Sequence, residues 1–384
     1  MNTPSIISGV HATRVGKLPG SSCLSLHDEA ASGAILDAGL KPGDIDGVIC
    51  AYSLTEPHLM LASWFSEFFG LSPNVCFSIQ AGGATGATMV AQAASLVDSG
   101  ACRHVLVVAG DNRLTGLSRD GAVAALSQVG HPQFERPYGM SVPSAYALVA
   151  SRYMMEYGVE PIHLAAIAAT MRDHASRNVD AHMRDPMSMD DVLNSPIISS
   201  PLHRLDCSLI SDGGGALVIS AGETRSDLPT HAVRILGSGQ GHTHEHIVAA
   251  PSLTDFGCKQ AAAQAFGRAG IKVTDIDIAQ IYDSFTITLL VELESIGFFE
   301  RGEAGPAIAN GALRLDGSLP CNTHGGLLSH GHPGAAGGVF HVIEAVTQLR
   351  HTATGRQAGR PELAFVHGDG GILSAHCSLI LARE

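Results

Sequence analysis

The sequence predicts an α/β protein made of two similar halves, and two internal matches carry this prediction. Residues 38–52 (AGLKPGDIDGVICAY) align without a gap with residues 269–283 (AGIKVTDIDIAQIYD), an offset of 231 (269 − 38). Each segment follows an Ala-rich helical stretch and passes through Gly and Asp-Ile-Asp into an apolar run typical of a buried strand. The second match joins residues 81–111 with residues 321–371. Both read as a glycine bend, a small-residue helix, a connector, a buried strand and Gly-Asp.

The repeat predicts how the chain is divided. A chain of 384 residues suits about two domains, and we expect an N-terminal half at 1–225 and a C-terminal half at 226–384. The less repetitive region at about 112–205 is expected to lie over the functional site as an excursion. Glycine inside a helix costs about 1 kcal/mol relative to alanine. Its repetition in the two matched helices therefore predicts that they pack closely together.

Composition excludes several classes of function. The formal net charge of −13 argues against nucleic acid or an anionic membrane as the main partner. The eight cysteines are dispersed without a C-x-x-C pair, which predicts neither a zinc knuckle nor a disulfide scaffold and fits a reducing cytoplasm. We predict no signal peptide and no membrane span, because no apolar run approaches about 20 residues.

Residues 321–338 (CNTHGGLLSHGHPGAAGG) contain three histidines and six glycines on a bend that opens a helix. Imidazoles at such a place are suited to acid–base chemistry or to binding an oxyanion. His332 in Gly-His-Pro is the strongest candidate, while His324 and His330 are either functional or polar lining residues. The segment GHTHEHI at 241–247 could bind a metal ion. An exposed polar loop is the alternative that we favour, and we predict no metal site.

Four segments in this order resemble the thiolase superfamily, in particular its sterol-carrier-type branch. They are AGGATGATMVAQAASLVDSGA, DCSLISDGGGALV, YDSFTITLLVELESIGF and NTHGGLLSHGHPGAAGG, and the closing VHGDGG stands where thiolases have their last glycine-rich loop. The resemblance, over about 30–384, implies a five-layered α-β-α-β-α fold and a homodimer. It also implies a coenzyme A thioester as substrate, entering between the halves, with no tightly bound cofactor.

The chain departs from the thiolase pattern at its catalytic positions. Thiolases start the first matched helix with a cysteine nucleophile, and the corresponding residue here is Ala81. The second thiolase cysteine corresponds to His367. Sterol-carrier types have His-Asp-Cys-Phe where this chain has YDSF, so Tyr282 takes the place of a residue that lines an oxyanion hole. The resemblance thus implies Tyr282, His332 and His367 as catalytic residues. Substrate-binding positions are carried over to Ala81, Gly82, Asn322, Gly325, Gly326, His330, Asp369 and Gly370.

A thiolase-like site without its nucleophile can still stabilise a thioester enolate. It could therefore break a C–C bond in a β-hydroxyacyl-CoA by retro-aldol cleavage. The chain resembles the thiolase-like aldolases of steroid side-chain degradation, which also lack the cysteine and have a tyrosine at the place of Tyr282. Those aldolases place a second tyrosine where this chain has His332. We predict that Tyr282 acts as base on the β-hydroxyl and that His332 supports the enolate oxygen.

Two alternatives stay open at this point. One is a Claisen-type acyltransferase that uses another cysteine, Cys76, Cys321 or Cys377. The other is a non-catalytic subunit that binds acyl-CoA or lipid. The resemblance also suggests a small partner subunit with a zinc ribbon and an OB fold, which would complete the acyl-CoA site.

Overall fold

The computed structural model describes residues 5–222 and 232–384, so the predicted boundary between 225 and 226 lies outside the described residues. The strands are β1 (Ile6–Ala12), β2 (Gly47–Ala51), β3 (Val75–Ile79), β4 (His104–Asn112), β5 (Ile197–Ser199), β6 (Leu202–His203), β7 (Asp212–Ser220), β8 (Val233–His242), β9 (Ile278–Ile281), β10 (Leu363–Gly370) and β11 (Ala375–Arg383). The helices are α1 (Cys23–Asp37), α2 (Leu61–Phe69), α3 (Thr85–Asp98), α4 (Arg113–Gly116), α5 (Arg119–Ser127), α6 (Val142–Tyr157), α7 (Pro161–Ser176), α8 (Met189–Leu193), α9 (Cys258–Ala269), α10 (Thr286–Ile296), α11 (Ala304–Ala309) and α12 (Ala336–Leu349). Within this described part, no helix is both long enough and apolar enough to cross a membrane.

The strand order repeats between the halves. The N-terminal strands run β3-β2-β4-β7-β1, and the C-terminal strands run β9-β10-β11-β8, in one sheet of nine strands. The counterpart of β3 in the second half is a single parallel bridge between Ala279 and Cys321. The halves meet where β1 pairs with β8 at Ile6 and Ile7. The internal repeat of the sequence therefore corresponds to a repeated order of strands in the structure.

The helices and the two sets of strands, N-terminal and C-terminal, form five layers, as predicted. Helices α1 and α2 cover the outer face of the N-terminal strands, α3 and α12 lie in the centre, and α9 and α10 cover the C-terminal strands. Side chains alternate between the two faces of a strand. On β4, Val105 and Val107 enter the central core, while Leu106 and Val108 face α1 and α2.

The two central helices approach as closely as their small residues predicted. A Cβ added to Gly86 of α3 would lie 2.5 Å from the carbonyl carbon of Gly338 in α12. A Cβ added to Gly338 would lie 2.5 Å from the carbonyl oxygen of Gly83. Any larger residue at these positions would push the halves apart.

Helices α6 and α7 of the region at 112–205 pack on α10 and so lie against the C-terminal half. They also hold the histidine-rich bend in place. The amide Nδ2 of Asn178 donates to the carbonyl of His324 at 3.0 Å, and Nε of Arg172 donates to Oγ of Ser329 at 3.0 Å. This region therefore connects the two halves beside the bend that carries His332.

Candidate active site

Tyr282 and His332 form a hydrogen-bonded pair. Tyr282 follows the last residue of β9, and its hydroxyl lies 2.8 Å from Nε2 of His332. The other imidazole nitrogen, Nδ1, lies 3.1 Å from Oγ of Ser208. Tyr282 is buried and His332 is partly exposed, so a ligand can reach the pair from the His332 side. These three side chains form a hydrogen-bonded chain in which Ser208 would orient the imidazole, His332 would act as the base, and Tyr282 would supply the reactive hydroxyl.

Burial keeps both members of the pair neutral before substrate binds. It raises the pKa of Tyr282 well above its usual value, and the neighbouring hydroxyl of Tyr52 acts in the same direction. Burial also lowers the pKa of His332 well below its usual value, and the charge of Arg113 lowers it further. The phenol therefore holds its proton, which it can donate to Nε2 of His332 when that nitrogen is unprotonated.

Arg113 and Tyr52 belong to this site, although the sequence analysis did not identify them. Arg113 is buried, donates to the backbone carbonyl of His332 at 3.4 Å, and has no hydrogen-bond partner at Nε. Its positive charge acts on the pKa of Tyr52, Tyr282 and His332 alike. Tyr52 directly follows β2 and Arg113 directly follows β4, and both strands belong to the N-terminal half. The signal that could have found Tyr52 is that each repeated segment has a tyrosine directly after its buried strand, Tyr52 after β2 and Tyr282 after β9.

The loop before α3 lies directly against Tyr282 and the last glycine-rich loop. A Cβ on Gly83 would lie 2.1 Å from Cζ of Tyr282, and one on Gly82 would lie 2.8 Å from Cα of Gly370. A Cβ on Gly370 would in turn lie 2.1 Å from the carbonyl oxygen of Ala81. Three predicted substrate-binding residues, Ala81, Gly82 and Gly370, are thus brought together beside Tyr282.

Three other predicted substrate-binding residues each have polar side-chain atoms that contact protein groups, although Oδ1 of Asp369 has no hydrogen-bond partner among the described residues. The Asn322 amide both donates to and accepts from the backbone of β9, at 2.7 Å each. Nδ1 of His330 lies 3.2 Å from Nδ2 of Asn178, and Oδ2 of Asp369 accepts from the Tyr146 hydroxyl at 2.8 Å. These contacts favour a structural role for the three side chains.

The two glycines of the bend make room for protein atoms. Gly325 and Gly326 both have positive φ. A Cβ on Gly325 would lie 2.6 Å from Cβ of Ala175, and one on Gly326 would lie 2.0 Å from Oδ2 of Asp283. The Asp283 carboxyl accepts from the first backbone amides of the π-helical turn Gly326–His330, and burial raises its pKa to about 8. The space beside the two Cα atoms is therefore filled by α7 and Asp283, and the approach of this backbone to a ligand stays a prediction.

His367 does not join the pair, contrary to its predicted catalytic place. Along β10, Phe365 faces the outer core and Val366 faces the central layer, so His367 faces outward again. Its ring nitrogens lie 2.8 Å from Oγ of Ser378 and 3.1 Å from Nδ1 of His376. Tyr282 lies on the other side of the strands, against Gly83 and α12.

None of the three alternative cysteines has the surroundings of a nucleophile. Sγ of Cys76 lies 3.4 Å from Oγ of Ser66, on the outer side of β3 next to α2. Cys321 and Cys377 are completely buried. Burial raises the pKa of the Cys377 thiol to about 12 and that of Cys321 well above its usual value. Reactive cysteines have a lowered pKa instead.

The histidines of GHTHEHI do not converge on an ion. Nδ1 of His244 lies 2.9 Å from the hydroxyl of Thr243, and Nε2 lies 3.1 Å from the carbonyl of Ile372. The His246 ring packs edge-on against His131. Elsewhere in the described residues, one group of buried ligand-type side chains could hold an ion, namely Glu292, His367 and His376.

Known proteins of similar sequence decide the family. A family model described as Thiolase C-terminal domain-like matches residues 239–383. A steroid side-chain-cleaving aldolase of Thermomonospora curvata is 33% identical, with 95% of each chain covered. The chain belongs to the thiolase superfamily. An acetyl-CoA acetyltransferase of Methanothermobacter thermautotrophicus is 30% identical, covering 96% of this chain and 98% of its own.

A solved structure adds the fold of a thiolase-superfamily aldolase. The Ltp2-ChsH2(DUF35) aldolase matches with a TM-score of 0.88 at 32% identity, covering all of this chain and 98% of the other. The predictions of a thiolase-superfamily member, a five-layered fold and an acyl-CoA-dependent enzyme are therefore confirmed. The similar proteins include both chemistries that the sequence left open, C–C cleavage and acyl transfer.

Proposed function

We propose that this chain cleaves a β-hydroxyacyl-CoA by retro-aldol chemistry through an enolate, without an acyl-enzyme. One observation carries the proposal. Ala81 stands at the nucleophile position of the thiolase pattern, the loop that carries it contacts Tyr282 through Gly83, and the Tyr282 hydroxyl is hydrogen-bonded to Nε2 of His332. The site has thus kept acid–base groups and has no thiol at that position.

The reaction needs one proton relay. The Tyr282 oxygen takes the proton of the substrate β-hydroxyl as its own proton passes to Nε2 of His332. The bond between Cα and Cβ then breaks, Cβ becomes a carbonyl, and the electron pair moves into the thioester as an enolate. The enolate takes the proton back at Cα, which releases the shortened acyl-CoA and restores the pair. Concerted transfer suits this site, because burial disfavours a free tyrosinate beside an imidazolium.

Arg113 is suited to stabilise the enolate. Its guanidinium is buried and positively charged, and its Nε–H has no hydrogen-bond partner among the described residues. A fixed positive charge in a site of low polarity stabilises negative charge more strongly than it would in water. Ser208 would keep the His332 ring in the orientation that presents Nε2 to Tyr282.

A groove beside α6 is our candidate for part of the acyl-CoA site. It has a volume of about 520 Å³ and is lined by residues of the covering region and by Ile247, Val248 and Leu253. Ligand sites commonly have volumes of about 300–1,000 Å³. The lining includes Met140, Leu148 and exposed hydroxyls, a mixture that suits the pantetheine arm with its apolar and amide parts.

We also propose a homodimer through the edge of the N-terminal strands. In the described residues β3 pairs with β2 alone, so its outer edge is open. Beside it, Leu59 is fully exposed, and Met60, Trp64 and Phe68 are exposed by 61%, 37% and 54%. An open strand edge next to exposed large apolar side chains is a surface that proteins usually cover.

A second, smaller subunit is proposed on the likeness to the Ltp2-ChsH2(DUF35) aldolase, whose name joins two components. Assays should therefore be run with and without such a subunit. The cytoplasm remains the predicted location, supported by the eight free cysteines.

Acyl transfer is the second candidate, favoured by the acetyltransferase relative. A matched pair of variants separates the two reactions. With a β-hydroxyacyl-CoA as substrate, Tyr282→Phe should lower kcat by about 10²–10⁴-fold, the usual contribution of an acid–base group. Tyr157→Phe is the control, because that ring packs against Tyr153 and Arg301 away from the site. Full activity of Tyr282→Phe, or activity lost to alkylation of one cysteine, would overturn the aldolase proposal.

A further inference from the structure

Three buried side chains between the outer helices and the C-terminal strands converge on one point. Glu292 lies on α10, His367 on β10 and His376 on β11. Oε1 of Glu292 is 3.4 Å from Nε2 of His367 and 3.6 Å from Nδ1 of His376, and the two nitrogens are 3.1 Å apart. All three side chains are out of contact with solvent.

Outer hydrogen bonds orient the two imidazoles. Nε2 of His376 faces the carbonyl of Leu373 at 3.0 Å, and a carbonyl only accepts, so Nε2 carries the proton and Nδ1 presents a lone pair. Nδ1 of His367 lies 2.8 Å from Oγ of Ser378, which can accept its proton and leave Nε2 as a second lone pair. Histidines that bind metals are held in this way, with the outer ring nitrogen bonded to a carbonyl or hydroxyl group.

Within the described residues, the carboxyl group of Glu292 has no hydrogen-bond partner at either oxygen, although it is completely buried. A buried carboxyl group normally binds a cation or makes hydrogen bonds. The two lone pairs beside it point to a cation.

The spacing fits a tetrahedral ion. Zinc binds nitrogen and oxygen ligands at about 2.0–2.2 Å, and the edge of a tetrahedron is about 1.6 times that length, roughly 3.3–3.6 Å. Two of the observed separations, 3.4 and 3.6 Å, lie in that range, and the third, 3.1 Å between the two imidazole nitrogens, is slightly shorter. Two histidines and one glutamate are also a ligand set that zinc uses, with a fourth position left open.

We propose that Glu292, His367 and His376 bind one divalent transition-metal ion, with zinc the best match, and that the ion ties α10 to β10 and β11. The sequence analysis predicted no metal site, because these residues are widely spaced along the chain. The ion would act by holding α10 and β10 in place beside the candidate active site. Helix α10 begins four residues after Tyr282, and β10 ends at Gly370, which contacts the loop of Ala81.

The first test is metal content and binding in the purified full chain. We expect about one zinc ion per chain, removal by a strong chelator with a fall in Tm, and recovery of Tm when Zn²⁺ is added back. Co²⁺ added to the stripped protein should give the intense visible absorption of four-coordinate cobalt. Zinc affinity should fall at least tenfold in Glu292→Gln and His376→Gln, and about 10–100-fold in Ser378→Ala.

His242→Gln is the matched control, because His242 is an exposed histidine on the neighbouring strand β8. If Glu292→Gln fails to fold, the wild-type metal content and the milder Ser378→Ala variant decide the question. A stripped chain without saturable Zn²⁺ binding would overturn the proposal. Equal binding by wild type and the ligand variants would do the same, since it would indicate an adventitious ion only. Tyr282→Phe should lose turnover and keep its metal, so this proposal and the aldolase proposal can fail separately.

Discussion

His332 and His367 stand on opposite sides of the C-terminal strands and have opposite surroundings. His332 is partly exposed and lies between a serine hydroxyl and the phenol of Tyr282. His367 is completely buried and faces Ser378, His376 and the carboxyl group of Glu292. Both occupy positions where the thiolase pattern implies catalysis. The direction of the side chain separates a proposed proton carrier from a proposed metal ligand.

Burial lowers the pKa of both histidines, so charge does not distinguish them. Their partners do. A hydroxyl bonded to Nε2 of His332 can exchange a proton with a substrate at the open side of the site. A carboxyl group without hydrogen bonds beside His367 calls for a cation in a closed space.

The largest expected difference is in turnover. His332→Gln should lower kcat by about 10²–10⁴-fold, because the relay loses its acceptor. His367→Gln should lose bound metal, and its kcat should fall less, because no reacting proton passes through His367. Steady-state kinetics with metal analysis on the same samples measures both effects. If His367→Gln is the more damaging change, the assignment of the two histidines is reversed.

A smaller effect is expected from adding a methyl group beside Tyr282, on the side of the C-terminal strands where His332 lies. Gly83→Ala places a methyl group 2.1 Å from Cζ of Tyr282, and overpacking of this kind costs about 1–3 kcal/mol. Chemical denaturation should show that loss of unfolding free energy, and kcat should fall with it. Gly267→Ala on α9 is the control, since its added Cβ meets nothing within 4 Å, and it should be neutral or slightly stabilising. Equal behaviour of the two variants would mean that Gly83 does not contact Tyr282.

A third expected effect is a pH dependence of stability from Asp283, which holds the bend that carries His332. Asp283 has a pKa of about 8 in the folded chain, against a usual value of 3.8. The folded state therefore keeps a proton that the unfolded state releases, and the stability contributed by Asp283 declines as pH rises from about 4 to about 8. Asp283→Asn should show a flatter profile over this range, whereas Asp28→Asn, at an exposed position, should follow the wild type. Parallel curves for all three proteins would exclude the raised pKa.

Much of the fold and part of the site could be predicted from the sequence. The repeat of residues 38–52 at 269–283 predicted the duplicated strand order, and Tyr282 and His332 were both chosen from motifs. The direction of His367 was missed because one residue of register along a strand reverses the face. Arg113 and Tyr52 were missed because they reach the site from the other half of the chain, through contacts that only folding creates.

Intact-protein mass spectrometry during turnover of a β-hydroxyacyl-CoA tests the central claim most directly. The account predicts that a carbonyl compound and a shortened acyl-CoA form in equal amounts while the mass of the protein stays unchanged. An acylated protein that appears and decays at the rate of product formation would contradict it.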